Sequence, residues 1–378
     1  MKTYSVLGLM SGTSLDGLDL AYCRFNRREK GEETDTGLGQ DIDLEPGPYQ
    51  EWTFSIEKSK SISYSPEMRL KLQDSILLPA EEVLAFHNTY GTWLGEQARN
   101  FIEEHDLSVE HIASHGHTTH HRPEMGLTFQ IGCGQHLANA SGIKTICDFR
   151  TNDIALSGQG APLVPIGDLF LFGNYDFCLN LGGISNVSFD YNGDRIAYDI
   201  GLANMVLNHI TRKNGLDFDK GGQLAATGQV NSSLLEKLND LEYYRLPYPK
   251  STGYEWFLEK VAPLVDGTDD TLENLLHTGI HHICEQVAVQ VNLNAKKSQN
   301  TLFVTGGGAL NDFLMETLQI KLGKKTQVVV PDRALIEFKE ALVFALMGVL
   351  RIEGLTNVLS SVTGAKRDSC SGILYHPS

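Results

Sequence analysis

Positive charge is what this sequence is short of: 31 Lys and Arg stand against 47 Asp and Glu in 378 residues, a formal charge of −16. Such a field repels polyanions and disfavours a nucleic acid backbone or an anionic membrane as partner. Long apolar runs are missing too. The first, after Met1 and Lys2, is short and enters a Gly/Ser turn, so it lacks the length of a secretory signal, and no stretch is long enough to span a bilayer. Cysteine is sparse: Cys23, Cys133, Cys147, Cys178, Cys284 and Cys370 show no C-x-x-C spacing, which fits reduced, buried thiols better than a disulfide framework or zinc knuckle. The expectation is a cytoplasmic protein acting on a small molecule, with no nucleic-acid or membrane partner.

What is present describes a compact protein, 41% hydrophobic and 21% charged. Its length suits two domains, expected at 1–165 and 166–378, with the last helix packing back on the first. The segments "YSVLGLM", "GLDLAYCRF" and "YQEWTFSIEK" read as consecutive strands, with an acidic surface loop from Asn26 to about Gly47. A helix follows from about Pro79 to Glu104, then short strands "HIASHG" and "GIKTIC" alternate with helical pieces such as "CGQHLANA". This is α/β texture. After the proline-broken connector "APLVPIGDLFLF", the order repeats in "YDFCLNLGGISNVSFDYNGDRIAYDIG", with Asn192-Gly193 as a hairpin signal. Ile280, Ile283, Cys284, Val287 and Val291 mark one face of a long helix, and "EALVFALMGVLRI" is a nearly all-apolar one.

Three glycine turns each follow a strand. The opening turn, Ser11 to Asp19, offers glycines, hydroxyls and two carboxylates: exposed N–H groups there can cradle phosphate oxygens, and a carboxylate can hold Mg²⁺ through water. A tight hairpin wants the same residues for conformational reasons alone. The turns at "LNLGGISN" and "VTGGGALN" lack the G-x-G-x-x-G dinucleotide pattern, and each admits a packing explanation. Spread over both halves, the three suit a nucleotide in a two-domain cleft.

The ordered set "GLMSGTSLDGLD", "CDFRTNDIALSGQGAPLVP", "LNLGGISNVS", "DIGLANMVLN", "PKSTGYEWF", "VTGGGALN" and "EALVFALMGVL" resembles the anhydro-N-acetylmuramic acid kinase family. The resemblance implies a two-domain actin-like (ribonuclease H-like) sugar-kinase fold with an interdomain ATP cleft, ATP and Mg²⁺ as cofactors, and a homodimer. It implies that the 1,6-anhydro ring of anhydro-N-acetylmuramic acid is opened by water and O6 phosphorylated, giving N-acetylmuramic acid 6-phosphate for peptidoglycan recycling. Asp199 matches the catalytic aspartate, a base for the attacking water, although an aspartate there could equally cap the helix beginning near Ala203. Glu340 matches a glutamate near the sugar; its alternative is an exposed ion-pair partner on the helix surface.

For the nucleotide the resemblance implies Gly12, Thr13, Ser14, Leu15, Asp16, Gly17, Leu18 and Asp19, with Gly182, Gly183, Gly306, Gly307 and Gly308, and Asp16 as the water-mediated Mg²⁺ holder. Arg150 could pair with the sugar's lactyl carboxylate or, instead, with Asp148 or Asp153; Asp148 and Gln159 complete the expected sugar contacts. Some positions depart from the family: His117 stands where Gln is common, Ile200 and Leu202 replace Thr and Pro, and Tyr254 replaces Arg. These changes touch substrate contacts more than the fold or the ATP site. Two rival readings remain: a metal-dependent hydrolase or metal-binding module using His115, His117, His120 and His121, with His115 and His117 sharing a strand face, and a non-catalytic actin-like scaffold.

Overall fold

The computed structural model describes residues 1–12, 15–28 and 52–378. Most of the expected acidic loop, and Thr13 and Ser14 of the opening turn, lie outside that set. The chain divides into two compact units, residues 1–173 with 338–378, and residues 174–337. Everything from Phe338 onward belongs with the first unit, to which the last long helix was expected to return, and so does the short helix Pro165–Leu171, most of which the expected boundary at 165 put in the second. Backbone contact explains this. A Cβ on Gly8 would lie 2.0 Å from the carbonyl oxygen of Ala341, and one on Gly348 would lie 2.7 Å from Ala113 Cβ, so the apolar helix Arg333–Ile352 approaches the first unit's sheet at glycines.

In the first unit, β1 (Lys2–Ser11), β2 (Gly17–Arg27) and β3 (Trp52–Ser63) form an antiparallel meander. β4 (His111–Ser114) then pairs parallel to β1. A hairpin of β5 (His117–Arg122) and β6 (Leu127–Ile131) follows as a separate two-stranded sheet, and β7 (Thr145–Cys147) runs parallel to β4. The edge strand Ile373–Tyr375 closes the far side of β7. Alternation drives the packing: Leu7, Leu9, Leu18 and Leu20 are fully buried, each stabilising by about 1.5–3 kcal/mol. The helix Ala80–Glu104, as expected from its period, covers this core through Phe86, Tyr90, Leu94 and Phe101.

The second unit repeats the plan. β8 (Phe177–Leu181), β9 (Ile184–Tyr191) and β10 (Asp194–Leu202) form the meander, and Asn192 and Gly193 turn the β9–β10 hairpin with φ of 54° and 93°, as a type I′ turn requires. β11 (Asn300–Thr305) and β12 (Thr326–Val329) add in parallel. Numbered within each unit, the five principal strands lie in the order 3-2-1-4-5 in both sheets, with the first three antiparallel and the last two parallel. That duplicated order is the ribonuclease H-like sheet of the actin-like class, and the fold is a two-domain α/β fold of that class. The helix Leu272–Asn294 buries the expected face, Ile280, Ile283, Cys284, Val287 and Val291. Asn311 caps the helix Asp312–Leu322, its side chain accepting from the Leu314 N–H at 2.9 Å.

Candidate functional site

In the first unit, the register of β1 and β2 ends at Ser11 opposite Leu18, so the opening turn proper is residues 12–16. Gly17, Leu18 and Asp19 sit on β2. Gly17 is a packing glycine, because a Cβ there would lie 2.5 Å from the Ile62 carbonyl oxygen; Leu18 is fully buried, which leaves its side chain no access to a nucleotide. Leu15 has a φ of 60° and its N–H donates to the Gly12 carbonyl at 3.4 Å, while the Asp16 carboxylate is exposed with no partner among the described residues. Asp19 accepts a short hydrogen bond from Ser61.

Beneath the turn lies a buried polar network. Ser11 Oγ is 2.7 Å from Tyr64 Oη, 3.0 Å from Tyr90 Oη and 3.3 Å from Nδ1 of His117. Burial pushes His117 down to about 4, partly opposed by the Gly12 carbonyl, so it is a neutral hydrogen-bonding group. His115 and His117 do not share a strand face: Gly116, at φ 72°, breaks the chain between β4 and β5 and sends the two rings to different partners. His115 Nε2 accepts from Arg150 Nε at 3.0 Å, and a guanidinium on that lone pair bars a metal from it. His121 binds Thr128 at 3.2 Å, and no group of three or more His, Cys, Asp or Glu side chains suited to a metal occurs among the described residues. The metal reading loses its ligand set.

Arg150 forms no ion pair with a carboxylate among the described residues. Besides His115 it donates from Nη1 to the Gly160 carbonyl at 2.7 Å, and Nη2 has no partner among the described residues. Burial lowers its pKa to about 10 against the pull of Glu340 and Asp153. Asp148, at φ 59°, accepts from the Thr151 N–H at 3.1 Å and so braces the helix Thr151–Ala155 rather than pairing with Arg150. Fully buried Asp153 accepts from the Gly160 N–H and the Thr363 hydroxyl, each at 2.7 Å, and so pins the loop in which Gln159 stands exposed.

Glu340 presents exposed surface, yet protein crowds it closely enough that desolvation is the first cause of its raised pKa. Asp19 raises it further, while Lys339 and Arg150 oppose. The helix-surface ion pair is not formed: Glu340 has no salt bridge among the described residues, whereas its neighbour Lys339 is buried against Asp168 at 2.6 Å.

In the second unit, two kinds of glycine separate. Gly306, at φ 81°, would set a Cβ 2.5 Å from Asn180 Oδ1, and Gly308 would set one 2.6 Å from Leu181 Cβ; packing accounts for both. Gly182, Gly183 and Gly307 have no atom nearer than 3.5 Å to such a Cβ, so packing accounts for none of them and the surface there is open to a ligand. The Gly182 and Gly183 carbonyls accept from the N–H groups of Ala203, Asn204 and Met205, and Asn204 Nδ2 donates to the Leu181 carbonyl at 3.0 Å. These bonds tie the turn to the start of the helix Asn204–Lys213.

That helix has Ala203 at its N-cap with no side-chain bond, so Asp199 does not cap it. Asp199 instead sits where β10 bulges between Asp199 and Gly201. Its N–H donates to the Lys250 carbonyl at 3.2 Å, its Oδ2 accepts from the Thr252 N–H at 3.1 Å, and its carbonyl accepts from Tyr243 Oη at 2.8 Å. Burial raises its pKa, while the Thr252 N–H and the Ser251 side chain lower it. A half-buried carboxylate held by neutral donors and tuned upward by burial has the character of a base. This clasp by residues 250–252 was not foreseen; the only sequence signal was the polar "PKSTG" run. Among the departures, Ile200 and Leu202 are buried in the second unit's core and Tyr254 is exposed.

A family model described as "Anhydro-N-acetylmuramic acid kinase" matches residues 4–377. The curated anhydro-N-acetylmuramic acid kinase of Aliivibrio fischeri is 35% identical over 98% of both chains, and that of Synechococcus elongatus is 31% identical over 98% of this chain and 99% of its own. Among solved structures, the activator of 2-hydroxyisocaproyl-CoA dehydratase from Clostridium difficile is similar with a TM-score of 0.42 and 13% identity, covering 90% of this chain and 93% of that one.

Proposed function

The chain belongs to the anhydro-N-acetylmuramic acid kinase family and is a phosphotransferase acting on an alcohol group, and from that premise we propose the reaction its residues perform. Water attacks the anomeric carbon of 1,6-anhydro-N-acetylmuramic acid, the bond from that carbon to O6 breaks, and O6 takes the γ-phosphoryl group of ATP. The products are N-acetylmuramic acid 6-phosphate and ADP. Asp199 accepts the proton that the water gives up. The observation that carries this reading is the placement of Asp199: its carboxylate is held by the neutral donors Thr252 N–H and Ser251, tuned upward by burial and bonded to no cation among the described residues.

The remaining roles follow from what each group has free. Arg150, with Nη2 unpartnered, takes the lactyl carboxylate of the sugar. Glu340 orients the attacking water, and Gln159 and Asp148 contact the sugar in this reading. The backbone of residues 12–16 and the open glycines Gly182, Gly183 and Gly307 receive the phosphates. The exposed Asp16 carboxylate suits Mg²⁺ held through water, and the ion would neutralise phosphate charge. A test incubates the protein with Mg-ATP and the anhydro sugar: ADP and the 6-phosphate should appear in a one-to-one ratio. ADP without sugar phosphate, or sugar phosphate with the anhydro ring intact, contradicts the proposal.

A further inference from the structure

His115 is placed to do something the reaction above has not used. Nδ1 lies 2.9 Å from the Gly116 carbonyl, which can only accept, so Nδ1 carries the proton and Nε2 offers a lone pair. Arg150 Nε–H donates to that lone pair, and Nη1 donates to the Gly160 carbonyl. Bonds at two different nitrogens fix both the position and the plane of a guanidinium, leaving Nη2 to point at a ligand. The imidazole is itself held, its ring centroid 4.7 Å from that of Phe344, one helical turn beyond Glu340. A protonated imidazole would turn an N–H toward the Arg150 N–H and break the arrangement. Burial, reinforced by the Arg150 charge, keeps His115 neutral, its pKa well below the ordinary histidine value.

We propose that His115 is a positioning residue, a hydrogen-bond acceptor that aims Arg150 at the carboxylate of the sugar substrate. This rests on the reading of Arg150 as that carboxylate's partner. Gly116 is what lets one short segment do two things, because its left-handed backbone turns His115 to Arg150 and His117 to Ser11 under the opening turn.

The test is made by titration calorimetry on the full chain with Asp199→Asn as background, so that binding is read without turnover. The ligands are anhydro-N-acetylmuramic acid, its analogue lacking the lactyl group, and ADP. Replacing an acceptor to a charged donor predicts that His115→Leu weakens the carboxylate-bearing sugar roughly ten- to hundredfold and leaves ADP within about twofold. The carboxylate-free analogue should bind His115→Leu and its parent alike. His115→Gln, whose amide oxygen can accept from Arg150, should restore most of the affinity and covers the case in which the leucine variant does not fold. If Arg150→Leu weakens the sugar but folded His115→Leu does not, the positioning role is overturned and the role of Arg150 stands. If Arg150→Leu itself leaves sugar affinity unchanged, the carboxylate reading falls and the inference with it. Equal losses for all three ligands also overturn it, since a merely structural histidine gives that pattern.

Discussion

Replacing Asp199 by Asn tests the chemistry with little disturbance of the fold. The amide has the shape of the carboxyl, its oxygen can still accept from the Thr252 N–H, and both backbone bonds, to the Lys250 carbonyl and from Tyr243 Oη, are unaffected. What disappears is the capacity to take a proton. Loss of a positioned general base costs about 10²- to 10⁴-fold in turnover, or about 3–5 kcal/mol of transition-state stabilisation. The stability change has a predictable sign. Burial raises the folded-state pKa of Asp199, so the ionised carboxylate costs stability at neutral pH, and that cost vanishes only below the unfolded-state value. Asn carries no such cost, and the variant should melt no lower than the parent at pH 7. The same shift places the acid limb of kcat/KM above the ordinary aspartate value, with activity lost as pH falls through it. The assays are coupled ADP release across pH, ATP affinity by calorimetry and thermal melting. A folded variant with parental turnover refutes the base assignment, and one that loses ATP affinity in proportion to turnover shows that Asp199 shapes the nucleotide site instead.

Three further outcomes follow from the geometry. His117 and His282 are buried with pKa values pushed down to about 4, so between about pH 6.5 and 4 the unfolded chain binds protons the folded chain refuses, and stability falls with pH. Each contributes about 2 kcal/mol of loss by pH 5, and urea melts of His117→Gln should show a shallower decline between pH 7 and 5 than the parent. Gly183→Ala meets only ordinary contacts and should fold normally while raising KM for ATP, whereas Gly306→Ala, at φ 81° and facing Asn180 and Leu181, should lose at least about 1–2 kcal/mol in a denaturant melt. Asp168→Ala leaves Lys339, 5% exposed, without its 2.6 Å carboxylate partner and should cost about 3–5 kcal/mol in the same measurement.

The parts legible in the sequence are those with local causes. Alternation in β1 and β2, the period of Ala80–Glu104, the Asn192-Gly193 turn and the face Ile280 to Val291 each encode an element within its own window, and each is where the sequence places it. The repeat of the meander foretold the duplicated sheet. Non-local choices were hidden. Nothing near Ile373 announces that it pairs with Cys147, and the close approach of the apolar helix to the first unit's sheet, which was expected to pack back there, uses Gly8 and Gly348, whose small size matters only once the two are in contact.

The candidate site divides along the same line. Which residues carry carboxylates, guanidinium or glycine was plain, but what each does depends on which of its atoms the fold has already engaged. Asp199 at a strand end could have capped a helix, but the helix starts at Ala203 without it, and the carboxylate is held instead by Thr252, far along the chain. Arg150 could have been paired with Asp148 or Asp153; instead Asp148 goes to Thr151, Asp153 goes to Gly160 and Thr363, and the guanidinium has only neutral partners among the described residues. A buried cation held by neutral acceptors keeps its full charge for a ligand, whereas one already paired with a carboxylate would bind a second anion weakly. That Asp148 and Asp153 are engaged elsewhere while Arg150 keeps neutral partners among the described residues was not to be had from residue types alone.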